Sequence, residues 1–377
     1  MAAQRYVGLM SGTSADGIDA AVVEFADNGA MALAATCQHP LDTALKATID
    51  GLCTPGDDEI DRLGCLDRRL GQAFAEATHA LLATAGLVPG QITAIGSHGQ
   101  TVRHRPGGIA GDRTSAFTLQ LGDPNTIAEL TGISTVTDFR RRDIAAGGEG
   151  APLVPAFHQD RFARQGVRRA VVNIGGIANA TLLEGKTLVG GFDCGPGNTL
   201  LDHWIHTATG AAYDTSGSWS AEGKVVEELL RALFDDPFFS RSGPRSTGRE
   251  YFSPRWLQDR LSAVPGIDAR DVQATLAELT ARAIAASLTS ASFAPDEIYV
   301  CGGGAHNHDL VRRLSRLSRP AKLDTTQALG LHPDWVEAAA FAWLARQRME
   351  NLPGNAPAVT GARGRRILGA VYPGRVD

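Results

Sequence analysis

One local pattern occurs twice in this chain, about 165 residues apart: an apolar run, a tight Gly-rich polar turn, then a second apolar run. The first copy reads Tyr6-Val-Gly-Leu-Met10, Ser11-Gly-Thr-Ser-Ala-Asp-Gly17 and Ile18-Asp-Ala-Ala-Val-Val-Glu-Phe25. The second reads Ala170-Val-Val-Asn-Ile174, Gly175-Gly-Ile-Ala-Asn179 and Ala180-Thr-Leu-Leu-Glu184. Strand-length runs rich in Val and Ile, joined by turns of Gly, Ser, Asn and Asp, predict β-hairpins. Glycine in such a turn permits positive φ and lets backbone N–H groups converge on an anion, the nest geometry that takes phosphate. A duplicated phosphate hairpin constrains the chain to fold as two related halves.

Length agrees with that constraint, because 377 residues exceed what one hydrophobic core usually supports. The expected division is 1–135 and 136–377, with the last ~20 residues packing on either domain. Apolar content of 43% and charged content of 20% exclude a disordered or fibrous chain. The formal net charge of -5 and the brevity of the densest basic run, Arg140-Arg-Arg142, exclude nucleic acid as an expected partner. No stretch approaches the roughly 18 to 20 apolar residues of a membrane helix, and Met1 to Arg5 carries no signal-peptide pattern, so a cytoplasmic protein is expected. Five cysteines without CxxC spacing and ten histidines without HExxH spacing argue for reduced thiols and against a zinc site.

Beyond the hairpins, helical and strand patterns alternate in both halves. Ala73 to Ala85 predicts a helix closed by Gly86. Ile92 to Ser97 predicts a buried strand running into the polar loop Ser97-His-Gly-Gln-Thr101. Phe117 to Leu121 and Ser134 to Thr137 predict further strands around a short helix from Asn125 to Thr131. The polar, Gly-rich segment Asp138 to Pro152 is the expected hinge. The second half continues with a strand Thr187 to Phe192, the loop Asp193-Cys-Gly-Pro-Gly-Asn198, and a helix capped by Asn198. A helix Ala274 to Ser290, a strand Glu297 to Cys301, the loop Gly302 to Asn307 and helices Asp309 to Leu317 and Asp334 to Arg348 follow. The expected architecture is α/β, an actin-like ATPase fold of two related RNase H-like domains with an interdomain cleft.

Several loops carry chemistry at strand ends, the edge where open α/β sheets collect ligands. Gly12 to Gly17 has the GxxxxG of a P-loop but continues Ile18-Asp19 where that loop needs Lys-Ser/Thr, so a P-loop is excluded. Gly302, Gly303 and Gly304, between a strand and a helix, suit close approach to a nucleotide. GxGxxG is absent, which disfavours dinucleotide chemistry. Asp193 reads either as a general base at a strand end or as a carboxylate stabilising the next helix. Asp16 and Asp19, near phosphates, suit Mg²⁺ through water. His98 and Gln100 are apt for sugar hydroxyls or amides, and Arg140 and Asp143 for a substrate carboxylate and hydroxyl. Glu337 is either a ligand contact or part of an Asp334-x-x-Glu337 capping box. The loop Gly243 to Glu250 is assigned no role.

Together, Met10 to Asp19, Gly96-Ser-His-Gly-Gln-Thr101, Asp138-Phe-Arg-Arg141, Ala145-Ala-Gly-Gly148, Asn173 to Asn179, Gly191 to Asn198, Ser246-Thr-Gly-Arg-Glu250 and Cys301 to Asn307 closely resemble the anhydro-N-acetylmuramic acid kinase family. The resemblance spans almost the whole chain and places it in the sugar kinase, Hsp70 and actin superfamily. It implies an ATP-dependent, Mg²⁺-using kinase of cell-wall recycling. Such an enzyme opens the anhydro ring of 1,6-anhydro-N-acetylmuramic acid and phosphorylates O6. By the same resemblance Asp193 is the base that activates a water. The phosphates lie on Gly12, Thr13, Ser14, Ala15, Asp16, Gly17, Ile18 and Asp19 and on Asn173, Gly175 and Gly176, while Gly302 to Gly304 border adenosine. The oligomeric state is left open, a homodimer included.

Overall fold

The computed structural model describes residues 3–12, 15–240, 247 and 251–375. Two compact units emerge, one formed by Met1–Phe157 with Trp335–Asp377 and one by His158–Asp334. The strands in chain order are β1 (Gln4–Met10), β2 (Gly17–Phe25), β3 (Met31–Pro40), β4 (Ala94–Ser97), β5 (Gln100–Arg105), β6 (Phe117–Leu121) and β7 (Thr135–Thr137). After them come β8 (Arg168–Ile174), β9 (Ile177–Glu184), β10 (Thr187–Pro196), β11 (Glu297–Cys301), β12 (Lys322–Thr325) and β13 (Ala370–Tyr372).

In the first unit the sheet order is β13-β7-β4-β1-β2-β3. β1, β2 and β3 form an antiparallel meander, and β4 and β7 add in parallel beside β1. In the second unit the order is β10-β9-β8-β11-β12, again a meander of three followed by two parallel strands. The sequence repeat is therefore a repeat of topology: both units are RNase H-like, and the fold is the actin-like ATPase fold expected from the pattern. β13 returns to the first unit as an antiparallel edge strand on β7.

The domain boundary differs from the expected one. Thr135–Thr137 is an internal strand of the first sheet, and the segment expected as a hinge is folded into that same unit around a buried aspartate, Asp143. The chain leaves the first unit at Phe157 and re-enters it at Trp335.

One face of the first sheet, with Val7, Leu9, Ile18, Ala20 and Val22, packs in a single core cluster with Leu66, Leu70, Phe74 and Leu81 of the helix Glu59–Ala85. That helix ends at Gly86, which is left-handed at φ 64 and donates to Ala83 O, as its sequence predicted. The Val336–Met349 helix also packs on β1 and β4. Gly8 and Gly96 are cross-strand neighbours in β1 and β4. A Cβ on Gly8 would stand 1.8 Å from Ala338 O, so only glycine lets this helix lie directly on the sheet. In the second unit Val172, Ile174, Ala180, Ile298 and Val300 meet Ala281, Ile284, Leu310 and Leu314. Among the described residues, no helix is long and apolar enough to cross a membrane.

Candidate active site

In the first unit, β1 and β2 are joined by a turn in which Ala15, buried and at φ 50, donates its N–H to Gly12 O at 3.1 Å. Thr13 and Ser14 lie outside the described residues. Gly17 opens β2, and Ile18 belongs to the core, so it could meet a ligand only through its backbone. The Asp16 carboxylate is exposed and pairs with Lys46 Nζ. Asp19, paired in register with Met10, accepts from Gln38 Nε2 at 3.3 Å.

Behind this turn lies the loop that follows β4. His98 donates its backbone N–H to Leu9 O, and its Nε2 accepts from Arg140 Nε and Nη2 at 3.0 and 2.9 Å. Burial, with the Arg140 charge beside it, holds the imidazole well below its ordinary 6.5, so it is neutral. Burial also pushes Arg140 down to about 10, opposed by Glu337 and Asp143, which leaves the guanidinium charged at neutral pH. Arg140 Nη1 donates to Gly150 O at 2.8 Å. One N–H on each terminal nitrogen is left over once these bonds are counted.

Glu337 sits in the first turn of the Val336–Met349 helix, where burial and the Asp19 charge raise its carboxyl above the ordinary 4.5 against the pull of Arg140. The capping box is not formed. Trp335 occupies the N-cap position without a side-chain cap, and Asp334 Oδ1 lies 2.6 Å from His306 Nε2.

The other two polar residues are fully engaged inside the unit. Asp143 is 0% exposed, and its carboxylate accepts from Gly150 N (2.9 Å), Asn355 Nδ2 (2.7 Å) and Thr360 Oγ1 (2.9 Å). Gln100 is 1% exposed and bonded to Ser11 and Gly12 of the phosphate turn.

The second unit gathers its polar groups along one line across the sheet. Cys301 pairs with Asn173, Asn173 with Asn179, and Asn179 with Asp193. Paired residues share a face, so these four side chains stand in a row. Asn179 was missed as a candidate; three residues, Gly175, Gly176 and Ile177, separate the paired Ile174 and Ala178, and that register sets Asn179 opposite Asn173. A bulge between Asp193 and Gly195 turns the end of β10 away from regular pairing, as bulges beside active sites do.

The turn after β8 is tied to the loop after β10. Gly197 N and Thr199 Oγ1 donate to Gly176 O at 2.9 and 2.8 Å, and Asn198 N donates to Gly175 O at 2.8 Å. Asn198 holds the N-cap position of the helix Thr199–Thr209, but its side chain donates to Ile174 O instead of capping. Gly302 leaves β11 at φ 77, and a Cβ there would meet Asn173 Oδ1 at 2.3 Å, so glycine is required on both counts. Gly303 and Gly304 follow in a short turn that ends at Asn307, whose Oδ1 accepts from Leu310 N and caps the helix His308–Leu317.

Asp193 Oδ2 accepts the backbone N–H of Thr247 at 2.9 Å. Of the loop Gly243 to Glu250, Thr247 alone is among the described residues. Its contact gives that loop a connection to the candidate base that its composition did not signal.

The pattern of the anhydro-N-acetylmuramic acid kinase family matches residues 4–374 of the chain. The chain belongs to this family. A relative from Pseudomonas fluorescens (strain Pf0-1), named anhydro-N-acetylmuramic acid kinase, is 51% identical over 368 residues, covering 98% of this chain and 99% of the relative. Relatives of the same name from Shewanella loihica (50% over 378 residues, 99% and 100% covered) and Nitrosomonas europaea (50% over 368 residues, 98% and 99% covered) agree.

Proposed function

We propose that this chain carries out the reaction of its family: ATP-dependent opening of the anhydro ring of 1,6-anhydro-N-acetylmuramic acid with phosphorylation of O6. The products are N-acetylmuramic acid 6-phosphate and ADP, in the recycling of cell-wall sugar. O6 of the substrate is tied to C1 as an ether, so a free hydroxyl is not there to be phosphorylated. A water must form the new C1–O bond while the C1–O6 bond breaks and its electron pair passes to O6. O6 then bonds the γ-phosphorus as the bridge to the β-phosphate breaks and leaves with ADP. One proton of the water goes to Asp193 and the other stays on the new C1 hydroxyl.

The observation that carries the choice of Asp193 is its place at the bulged end of β10, in line with Asn179 and Asn173 and beside the Gly175–Gly176 turn. Thr247 N–H helps orient the carboxylate that takes the proton. Gly175, Gly176 and Asn173 hold phosphate, and Gly302 to Gly304 border the adenosine. In the first unit the turn from Gly12 to Asp19 takes phosphate as well.

Mg²⁺ is bound through one or two carboxylates, phosphate oxygens and water. Asp16 and Asp19 fit that donor set, and the described residues hold no cluster of three or more His, Cys, Asp or Glu that would suit a protein-caged ion. At Asp16 the ion would compete with the Lys46 ammonium. The ion would neutralise charge that develops on the transferring phosphoryl group.

Arg140 turns its two remaining N–H groups to the lactyl carboxylate of the sugar, with neutral His98 fixing the plane of the guanidinium. Glu337, its carboxyl raised by burial and by the Asp19 charge, is the second group proposed to meet a sugar hydroxyl. Asp143 braces the Arg140 loop through Gly150 and does not itself meet the sugar.

Asp193→Asn tests the assignment: kcat should fall roughly 10²-fold to 10⁴-fold while ATP still binds. Near-normal turnover would remove Asp193 from the role. Turnover in ¹⁸O-labelled water should place solvent oxygen on C1; unlabelled C1 would mean an ordinary kinase acting on a free hydroxyl.

A further inference from the structure

We propose that Gln100 is a positioning residue for the first phosphate turn and makes no contact with the sugar. The proposal rests on reading Gly12 to Asp19 as a phosphate turn. Gln100 is the first residue of β5, two positions beyond His98, and its amide reaches back 88 and 89 residues in sequence to the end of β1. Oε1 lies 2.6 Å from Ser11 Oγ, and Nε2 lies 3.2 Å from Gly12 O and 3.3 Å from Thr101 O. Both amide protons and an acceptor position are therefore occupied. With 1% of the residue exposed, the one remaining acceptor position on Oε1 is buried with it.

The bonds fall where the turn needs support. Ser11 Oγ shares its one proton between Gln100 Oε1 and Gly17 O, at 2.6 and 3.1 Å, so the hydroxyl closes the turn from its first residue to its last. Gly12 O already accepts from Ala15 N, and Gln100 supplies the second donor to the same carbonyl. With that carbonyl held by two donors, the orientation of the Gly12 peptide is fixed at the start of the turn. A nest binds an anion only while its N–H groups converge. Removing the amide should loosen the turn and weaken its hold on phosphate, leaving His98, Arg140 and Glu337 as they are.

The test compares Michaelis constants for the two substrates. Gln100→Met, similar in length but without the amide, is expected to raise KM for ATP roughly tenfold, the scale of one or two lost hydrogen bonds, with KM for the anhydro sugar within twofold of wild type. Ser11→Ala should do the same more weakly, and the double variant should be no worse than Gln100→Met alone, because both remove one connection. Ser11→Ala stands as the independent variant should Gln100→Met fold poorly by thermal melting.

A rise in KM for the sugar with KM for ATP unchanged in Gln100→Met would overturn the proposal and restore a sugar contact. Gly12→Val, which alters the turn itself, separates the two layers of the reading. Unchanged ATP affinity in Gly12→Val sinks the phosphate turn. Weakened affinity there, with wild-type KM for ATP in both Gln100→Met and Ser11→Ala, sinks the strut alone.

Discussion

Asp143 offers the sharpest separation between holding a site together and touching its ligand. Asp143→Ala would strip the acceptor from three buried donors at once: Gly150 N–H, Asn355 Nδ2 and Thr360 Oγ1, all within 2.9 Å of the carboxylate. A buried donor left without its partner costs about 1–3 kcal/mol, and partial relaxation keeps the sum toward the low end, about 3–6 kcal/mol. For units of this size each kcal/mol lowers Tm by about 2–4 °C, so a drop of about 10–20 °C is expected by scanning calorimetry. Asp143→Asn retains one acceptor oxygen and should fall between wild type and Ala. Gly150 accepts from Arg140, so at temperatures where the variant is still folded the sugar KM should rise modestly, and Arg140→Ala added on top should cost less than it does in wild type. A Tm within about 3 °C of wild type together with a sugar KM raised more than tenfold would refute this reasoning and make Asp143 a substrate ligand.

Two more outcomes follow from the same geometry. His98 is held well below its ordinary 6.5 and His158 at about 3, both by burial, so below pH 6.5 the unfolded chain takes up protons that the folded chain refuses. Stability from these groups is complete above pH 6.5 and lost as pH falls, by up to about 1.4 kcal/mol each at pH 5.5. Urea unfolding at pH 7.5 and 5.5 measures it, and an equal loss in His158→Gln would contradict the assignment to His158. Gly302→Ala places a side chain at φ 77 and 2.3 Å from Asn173 Oδ1. Local strain of about 1–3 kcal/mol should weaken binding of a non-hydrolysable ATP analogue tenfold or more by calorimetry, and wild-type affinity would move adenosine away from this loop.

What could be read from the chain and what could not divide along a physical line. The hairpins were legible because continuous apolar runs of strand length and Gly turns are local signals, and strands such as Phe117–Leu121 and Glu297–Cys301 stand where their patterns put them. The helix Glu59–Ala85 was read only in its second half, although Leu63, Leu66 and Leu70 of its first half already stand at the i, i+3, i+7 spacing of an amphipathic helix with Asp and Arg between them. The segment Asp138 to Pro152 has the composition of a hinge, but its folding depends on Asn355 and Thr360, 212 and 217 residues away from Asp143.

The polar loops show the deeper limit. His98, Gln100, Arg140 and Asp143 were drawn as one set of sugar contacts, since a residue that binds a ligand and one that braces the binder need the same donors and acceptors. Only the count of satisfied groups separates them. Asp143 and Gln100 spend their polar atoms inside the unit, whereas Arg140, held by His98 and Gly150, keeps N–H groups to spare. By that count Arg140 has donors left for a ligand, which is why the proposed sugar contact falls to it, with His98 and Gly150 holding its guanidinium.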